Sequence, residues 1–293
     1  MLKKRSARLS LLIGFTLAWI VILLSLPAIP QDPGYHGFAD QRVLFGIPNF
    51  SDVVSNGAFL VVGVWGLFFL KRPSIADGCI FNEGLNADSR TFNERSESWA
   101  YVVLFWGLVL TSFGSAYYHL APDNVGLFWD RLPMTLLFTA LLAATVAERI
   151  SAKAGLRLLP FLVIAGVGSV VYWYWSELQG AGDLRPYVLM QYYPALAIPL
   201  IAFLFPSRYT RGSDLIGVWA FYGVAKLLEA LDAELLALGG VVSGHTLKHF
   251  AAALAAYWIL RMLRKRRGAE SAATAPLRPA SLPRPTGRCA LSS

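Results

Sequence analysis

Three histidines and one aspartate are the residues of this chain whose types and spacing could bind a metal ion and use it. His245 and His249 stand four residues apart at the head of an apolar run, so on a helix both imidazoles point to one face. His119 ends another apolar run, and Asp130 follows eleven residues later. Ser115 precedes His119 by one helical turn and therefore shares its face.

The chemistry that such a set allows is hydrolysis. A catalytic zinc ion typically keeps three protein ligands and leaves a fourth position for water, and His119, His245 and His249 supply three ligands. Zinc lowers the pKa of its water towards about 7, and Asp130 is the natural general base for that water and later an acid for a leaving amine. Ser115 could donate a hydrogen bond to a developing oxyanion. These residues together predict hydrolysis of an acyl bond.

The composition indicates a polytopic membrane protein. Of 293 residues, 56% are hydrophobic and 15% are charged, against about 25% charged in soluble domains, and the mean hydropathy is +0.51. The net charge of +8 lies mostly in short loops and at the end of the last apolar run, which is typical of membrane topology and not of nucleic-acid binding. Cys79 and Cys289 both fall in segments predicted to be cytoplasmic, so no structural disulfide is expected.

Apolar runs predict an all-α fold of about eight spans, each near the roughly 20 residues that cross a bilayer. The first run could be a signal peptide, but it is long for one and lacks a clean cleavage site, which favours an uncleaved span. We predict an extra helix within residues 1–28, an outer loop at 29–48, a seven-helix core at 49–267 and a disordered tail at 268–293. The predicted spans are 9–28, 52–70, 99–119, 130–147, 156–175, 187–205, 215–231 and 245–263.

Loop charges predict the orientation of these spans. Lys and Arg concentrate at the amino terminus and in the loops near 71–95, 149–157, 208–211 and 264–267, which places both termini in the cytoplasm. With this topology His119, His245 and His249 all lie near the outer end of the bundle, and Asp130 opens the fourth span there. Any one of these residues alone could be a helix-packing residue. Their convergence at one depth favours a metal site, because ionisable groups in membranes are costly and usually functional.

The order of these motifs resembles the alkaline ceramidase family, within the superfamily of membrane hydrolases that includes the adiponectin receptors. The resemblance covers about residues 49–263. It rests on the segments Asn49–Asn56, Phe113–His119 and Trp129–Met134 and on the pair His245 and His249.

The resemblance implies a zinc amidase. It implies that the three histidines bind zinc, that Asp130 assists the water and that Ser115 lies beside the substrate carbonyl. The implied substrate is a ceramide-like lipid from the bilayer, split into a fatty acid and a sphingoid base. Two alternatives stay open: a hydrolase of another acyl lipid with the same site, and a lipid-sensing receptor that uses the zinc as a structural clamp.

The chain differs from the family in two respects. An extra amino-terminal span precedes the core. In the family that this chain resembles, the eukaryotic enzymes carry an acidic calcium-binding segment before the first core helix. Here the corresponding residues 38–49 contain one carboxylate, Asp40, beside Arg42. Because calcium takes about 6–8 oxygen ligands, we expect no calcium here and interpret Asp40 as a partner of Arg42 or a loop cap.

A few other polar residues have two interpretations each. Asp52 and Asn56 could support the metal ligands, or Asp52 could cap a helix. Lys226 and Glu229 predict an ion pair facing the bundle interior, with a substrate head-group contact as the alternative, and Asp232 lies three residues further on. His36, in the outer loop, is not expected to be a ligand. Short loops and the lack of eukaryotic targeting signals favour a bacterial inner membrane, whereas the sequence does not indicate an oligomeric state.

Overall fold

The computed structural model describes residues 2–71 and 91–268. The predicted disorder of the tail beyond Gly268 and the surroundings of both cysteines lie outside these residues. Within them the chain is all-helical and contains no β-strand, which confirms the all-α class. The helices are α1 Leu2–Ser25, α2 Phe50–Ser55, α3 Gly57–Lys71, α4 Ser98–Leu120, α5 Asn124–Arg149, α6 Ala152–Leu178, α7 Arg185–Leu204, α8 Asp214–Ala230, α9 Asp232–Gly239 and α10 Gly244–Lys265.

Six helical segments of the described chain are long and apolar enough to cross a membrane, which indicates a multi-pass membrane protein. They are α1, the pair α2 and α3 taken together, α4, α5, α6 and α7. Helix α8 has 17 residues, about 26 Å at 1.5 Å per residue, which is short of the roughly 30 Å of a bilayer core. Helix α10 has 22 residues, but its histidines and basic residues lower its hydropathy. The seventh and eighth predicted spans, α8 and α10, therefore stay predictions.

Among the helix boundaries that differ from the predicted ones, two have a clear physical cause. Helix α5 begins at Asn124 because Asp123 caps it, accepting a hydrogen bond from the backbone N–H of Gly126 at 2.6 Å. The prediction that Asp130 opens this span is therefore wrong. Asp130 lies six residues inside the helix, about 9 Å along its axis. Helix α1 ends at Ser25 and not at residue 28, since Pro27 disfavours helical geometry at the residue before it.

The helices pack in a bundle around α4 and α5. Helix α4 lies against α3 and α5, α5 also contacts α6 and α7, and α10 lies between α8 and α3. The extra helix α1 packs on α7, where the Thr16 hydroxyl lies 2.7 Å from the hydroxyl of Tyr193 and the ring of Phe15 stacks on that tyrosine. The extra helix is therefore attached to α7, away from the helices that carry the histidines.

The two ends of the bundle hold different polar groups. We call the end with the last turn of α4 and the first turns of α2, α5 and α10 the histidine end. At the opposite end, here the arginine end, the buried guanidinium of Arg266 pairs with Glu148 at 3.1 Å and contacts the Tyr101 hydroxyl at 3.2 Å. Arg208 pairs there with Glu97 at 3.3 Å. These contacts join the last helix to α4 and α5.

A glycine sets the close approach of α4 and α5 beside the candidate site. Pro133 has no N–H group, so the carbonyl of Trp129, one turn earlier, accepts no helical hydrogen bond from it. This carbonyl faces α4. A Cβ at Gly114 would lie 2.2 Å from the Trp129 oxygen and 3.4 Å from the Asp130 nitrogen. Gly114 therefore brings the residues next to it on α4 level with Asp130.

Gly114→Ala should destabilise the protein by about 1–3 kcal/mol, because the added methyl group meets backbone atoms that cannot rotate away. Thermal unfolding in detergent measures the loss. Gly168→Ala is the matched control: its Cβ meets nothing within 4 Å, so stability should stay unchanged or rise slightly with the better helix propensity. Equal unfolding temperatures for the two variants would contradict the close approach.

Candidate metal centre

Three buried histidine rings form the candidate metal centre at the histidine end. Each of His119, His245 and His249 offers one nitrogen, and these atoms lie within 4.8 Å of one another. Ring centroids are separated by 4.8 Å, 5.2 Å and 5.0 Å, so the rings form a nearly regular triangle. Zinc binds imidazole nitrogens at about 2.0–2.1 Å, so nitrogens this close can share one ion after small rotations.

Helix α10 presents His245 and His249 because its first turn is capped twice. The Ser243 hydroxyl oxygen accepts a hydrogen bond from the Thr246 N–H at 3.1 Å, the usual role of an N-cap serine. The carboxylate of Asp232 accepts a hydrogen bond from the His245 N–H at 2.7 Å. Both caps fix the start of the helix, and the spacing of four residues then places the two imidazoles on one face.

His119 reaches the same point from the last turn of α4. Its carbonyl oxygen, which the helix end leaves without a partner, accepts a hydrogen bond from the Asn49 side-chain amide at 2.7 Å. Asn49 has left-handed backbone geometry with φ of 47°, which asparagine tolerates better than most residues. Asn49 thus ties the end of α4 to the start of α2.

The hydrogen bonds of Ser55 determine the tautomer of His249. The Ser55 hydroxyl donates to the Asp52 carbonyl at 3.0 Å, so its oxygen is left to accept a hydrogen bond from His249 Nδ1, 2.7 Å away. The proton of the neutral ring then lies on Nδ1 and the lone pair on Nε2. Such an outer hydrogen bond is the usual way to orient a metal-binding histidine.

Asp52 supports α10 and does not cap its own helix. It is the third residue of α2, whose N-cap is Asn49. Its buried carboxylate accepts hydrogen bonds from the hydroxyl groups of Thr246 and Ser243. Of the two interpretations of Asp52, the structure therefore favours support of the ligand helix. Asn56, the C-cap residue of α2, donates its side-chain amide to the Asp52 carbonyl at 2.7 Å.

Phe38, from the loop between α1 and α2, covers the histidine triangle. Its ring centroid lies 4.5 Å from both the His119 and the His245 centroids. The adjacent N–H of Ala39 donates to the second carboxylate oxygen of Asp232 at 3.0 Å. Phe38 also lines a cavity of about 340 Å³ with His36, Gln41, Pro48, Asn49 and Pro122. One aspartate therefore holds both the start of the helix that carries His245 and His249 and the aromatic ring that covers the histidine triangle.

Asp130 and Ser115 form a polar pair one turn from His119. Ser115, 3% exposed, lies beside the Asp130 carboxyl group across the α4–α5 contact. The structure therefore brings together the predicted general base and the predicted oxyanion donor, and it places them one helical turn deeper than His119.

His36 and Asp40 have partners outside the histidine triangle. The two nitrogens of His36 lie 2.9 Å from the Tyr118 hydroxyl and 3.1 Å from the Asn124 side-chain oxygen, and the residue is outside the triangle. Asp40 pairs with Arg42 at 2.7 Å. Hydrogen bonding to the Arg42 guanidinium holds the pKa of Asp40 below its ordinary value. The interpretation of Asp40 as an Arg42 partner is confirmed.

The predicted Lys226–Glu229 ion pair is present, and a second lysine joins it. Glu229 pairs with Lys226 on its own helix, and Lys248 of α10 donates to it at 3.0 Å. The pair is half-buried rather than buried, with Lys226 39% exposed. Asp232 makes no ion pair within the described residues; it caps α10 as described above.

The buried nitrogens of the triangle fit a metal ion. Nδ1 of His119 and Nε2 of His245 have no hydrogen-bond partner among the described residues, although both atoms are buried. An unpaired buried polar atom costs free energy, and coordination to an ion would remove that cost. Three neutral imidazoles suit zinc and other first-row metals.

The supporting residues were not predicted as a group. The cap at Ser243 and the cap at Asp123 have recognisable signals, because each precedes the start of an apolar periodic run. Phe38, Asn49 and Ser55 have none, since their contacts join segments that are far apart in the chain.

Comparisons with known proteins add no assignment. No protein-family model matches the chain, and no curated protein matches it.

Asp232→Ala should lower the free energy of unfolding by about 1–3 kcal/mol, because the N–H groups of His245 and Ala39 both lose their acceptor. Thermal unfolding of the purified protein in detergent measures this. Glu234→Ala on the same short helix is the matched control and should change little, since Glu234 is exposed. Equal stability of the two variants would show that Asp232 does not hold the site.

Proposed function

We propose that this protein is an integral membrane zinc-dependent amidase that hydrolyses ceramide-like lipids to a fatty acid and a sphingoid base. The observation that carries the proposal is the meeting of three buried histidines from α4 and α10 next to the Asp130–Ser115 pair. The resemblance of the motifs to the alkaline ceramidase family supplies the reaction and the lipid class.

The proposal includes a membrane arrangement. The core has seven spans: the pair α2 and α3 taken together, α4, α5, α6, α7, α8 and α10. Helix α1 is the eighth span. Both termini lie in the cytoplasm, and the site lies near the outer leaflet of a bacterial inner membrane. Support comes from the alternation of basic loops and from the position of all three histidines at one end of the bundle.

The residues around the triangle have separable roles in this reaction. Zinc, when bound by His119, His245 and His249, supplies a Lewis acid and activates water. Asp130 accepts the proton of the attacking water and returns it to the leaving amine. The Ser115 hydroxyl has one hydrogen to donate. It can redirect this hydrogen from Asp130 to the substrate carbonyl oxygen as negative charge develops there.

The apolar surroundings favour this chemistry. Phe38 covers one side of the triangle and Phe59 lies 5.8 Å from the His249 ring. A site lined by aromatic rings excludes bulk water and strengthens every charge interaction inside it. The acyl chain of a lipid amide also finds a compatible surface there.

Metal content tests the ligand set first. His119→Ala, His245→Ala and His249→Ala should each lose zinc from the purified protein, because each removes one of three ligands. His36→Ala is the matched control and should keep it. Metal analysis of the four variants beside the wild type measures this. Stoichiometric zinc in all three ligand variants would refute the site.

Turnover tests the reaction. The wild type should release fatty acid from a fluorescent ceramide in detergent. Asp130→Asn should keep its zinc but lose about 10²–10⁴-fold in rate, the usual share of a general base. Glu234→Gln, a change of an exposed carboxylate, should keep the full rate.

Three other outcomes have distinct meanings. An unchanged rate in Asp130→Asn would remove Asp130 from the mechanism. A zinc-loaded wild type that leaves ceramide intact but cleaves another acyl lipid would change the substrate. A zinc-loaded wild type that is inactive on a panel of acyl lipids would favour the receptor.

A further inference from the structure

Arg131 is a buried cation surrounded by aromatic rings. It is 5% exposed and directly follows Asp130 on α5. Its guanidinium carbon lies 4.3 Å from the ring centroid of Trp173, 4.8 Å from that of Tyr187 and 5.4 Å from that of Tyr35. These rings come from α6, from α7 and from the loop before α2, so the arginine lies where three parts of the chain meet.

No carboxylate of the described chain pairs with Arg131. Within residues 2–71 and 91–268 it makes neither an ion pair nor a hydrogen bond, and its Nη1 atom is fully buried without a partner. A guanidinium carries five N–H donors, and an aromatic face attracts the charge without replacing the in-plane hydrogen bonds. Burying such a charge without a hydrogen-bonded partner is costly.

Arg266 shows how the same fold treats a buried arginine that acts only in packing. It too is 4% exposed and lies against three rings, those of Phe92, Tyr101 and Tyr209. Its N–H groups, however, are used by Glu148, by the Tyr101 hydroxyl and by the Thr91 carbonyl. Arg131 has the aromatic rings of such a site without the anion.

The acidic groups nearby are engaged with other donors. Glu177 accepts hydrogen bonds from the Gln31 N–H at 2.7 Å and from the Trp173 indole at 3.1 Å. Asp183 pairs with Arg185 at 2.8 Å, and Asp130 lies beside Ser115 across the α4–α5 contact. The charge of Asp130 acts on Arg131 from beyond ion-pair distance, and the buried Nη1 donor has no acceptor among the described residues.

We propose that Arg131, with Tyr35, Trp173 and Tyr187, forms an anion site that binds the phosphate group of a membrane lipid. Arg131 lies seven residues into α5, about 10 Å from the histidine end of that helix, in the half of the helix nearest the head groups of that leaflet if α5 crosses the membrane. A guanidinium binds phosphate through two parallel N–H donors, and the aromatic rings provide an apolar contact for the adjoining glycerol and acyl carbons. The site requires no metal.

The test titrates two phosphate probes into the full-length protein in dodecyl maltoside. One probe is dioleoylphosphatidic acid, with dioleoylglycerol as the lipid that lacks phosphate, and the other is sodium phosphate. Thermal unfolding and native mass spectrometry measure binding. The wild type should show a saturable rise in Tm with phosphatidic acid and none with dioleoylglycerol, because a ligand that binds only the folded state stabilises it.

Two variants and a control test the role of the arginine. Arg131→Met should abolish the rise in Tm. Arg131→Lys should weaken binding by about tenfold or more, because an ammonium group lacks the planar fork. Arg185→Gln is the matched control, an arginine at the same end that already has a carboxylate partner, and it should bind like the wild type.

Each outcome decides the proposal. A saturable rise with phosphatidic acid that needs Arg131 supports a lipid phosphate, and an equal rise with sodium phosphate supports the site with a free anion as its ligand. The absence of a saturable rise with both phosphate probes in the wild type overturns the site. An equal rise in Arg131→Met overturns it as well. If that variant does not fold, unchanged affinity in Arg131→Lys has the same meaning.

Discussion

The carboxylate of Asp232 is the contact on which the geometry of the histidine end depends. Its two oxygens accept hydrogen bonds from two backbone N–H groups, that of His245 at the start of α10 and that of Ala39 in the loop that carries Phe38. A buried N–H group left without an acceptor costs about 1–3 kcal/mol, so both segments are held against this one side chain. The ligand helix and its aromatic cover are thereby positioned by the same group.

The buried polar groups at the two ends of the bundle differ in whether they have hydrogen-bond partners. At the arginine end, Arg266, Glu148 and Tyr101 satisfy one another, and the result is a closed network suited to holding helices together. At the histidine end, atoms of His119, His245 and Arg131 are buried without a partner among the described residues. Native structures rarely leave such atoms unpaired. Two of these three atoms belong to the histidine triangle, where a metal ion could use them.

Features that depend on neighbouring residues in the chain, such as the helices and the spacing of the histidine pair, could be predicted from the sequence. Apolar runs predicted the helices, because burial in lipid requires long stretches without charge, and the spacing of His245 and His249 predicted two ligands on one face. The predicted start of α5 lies six residues late, because the apolar residues after the Asp123 cap look like a short loop in the sequence pattern. The contacts of Asn49, Ser55 and Asp232 join positions that are distant in the chain, and no periodicity in a single sequence encodes such pairs.

The positions of Asp130 and Arg131 on one helix constrain what each can bind. Successive residues of an α-helix point about 100° apart, so Asp130 faces Ser115 on α4 while Arg131 faces the rings on α6 and α7. Ceramide, the substrate proposed above, has no phosphate group, so under that proposal the substrate has no anion to offer Arg131. The lipid phosphate at Arg131 therefore belongs to a second molecule, a lipid bound on the other side of α5. Such a lipid would hold α5, and with it Asp130, against α6 and α7 without taking part in the reaction.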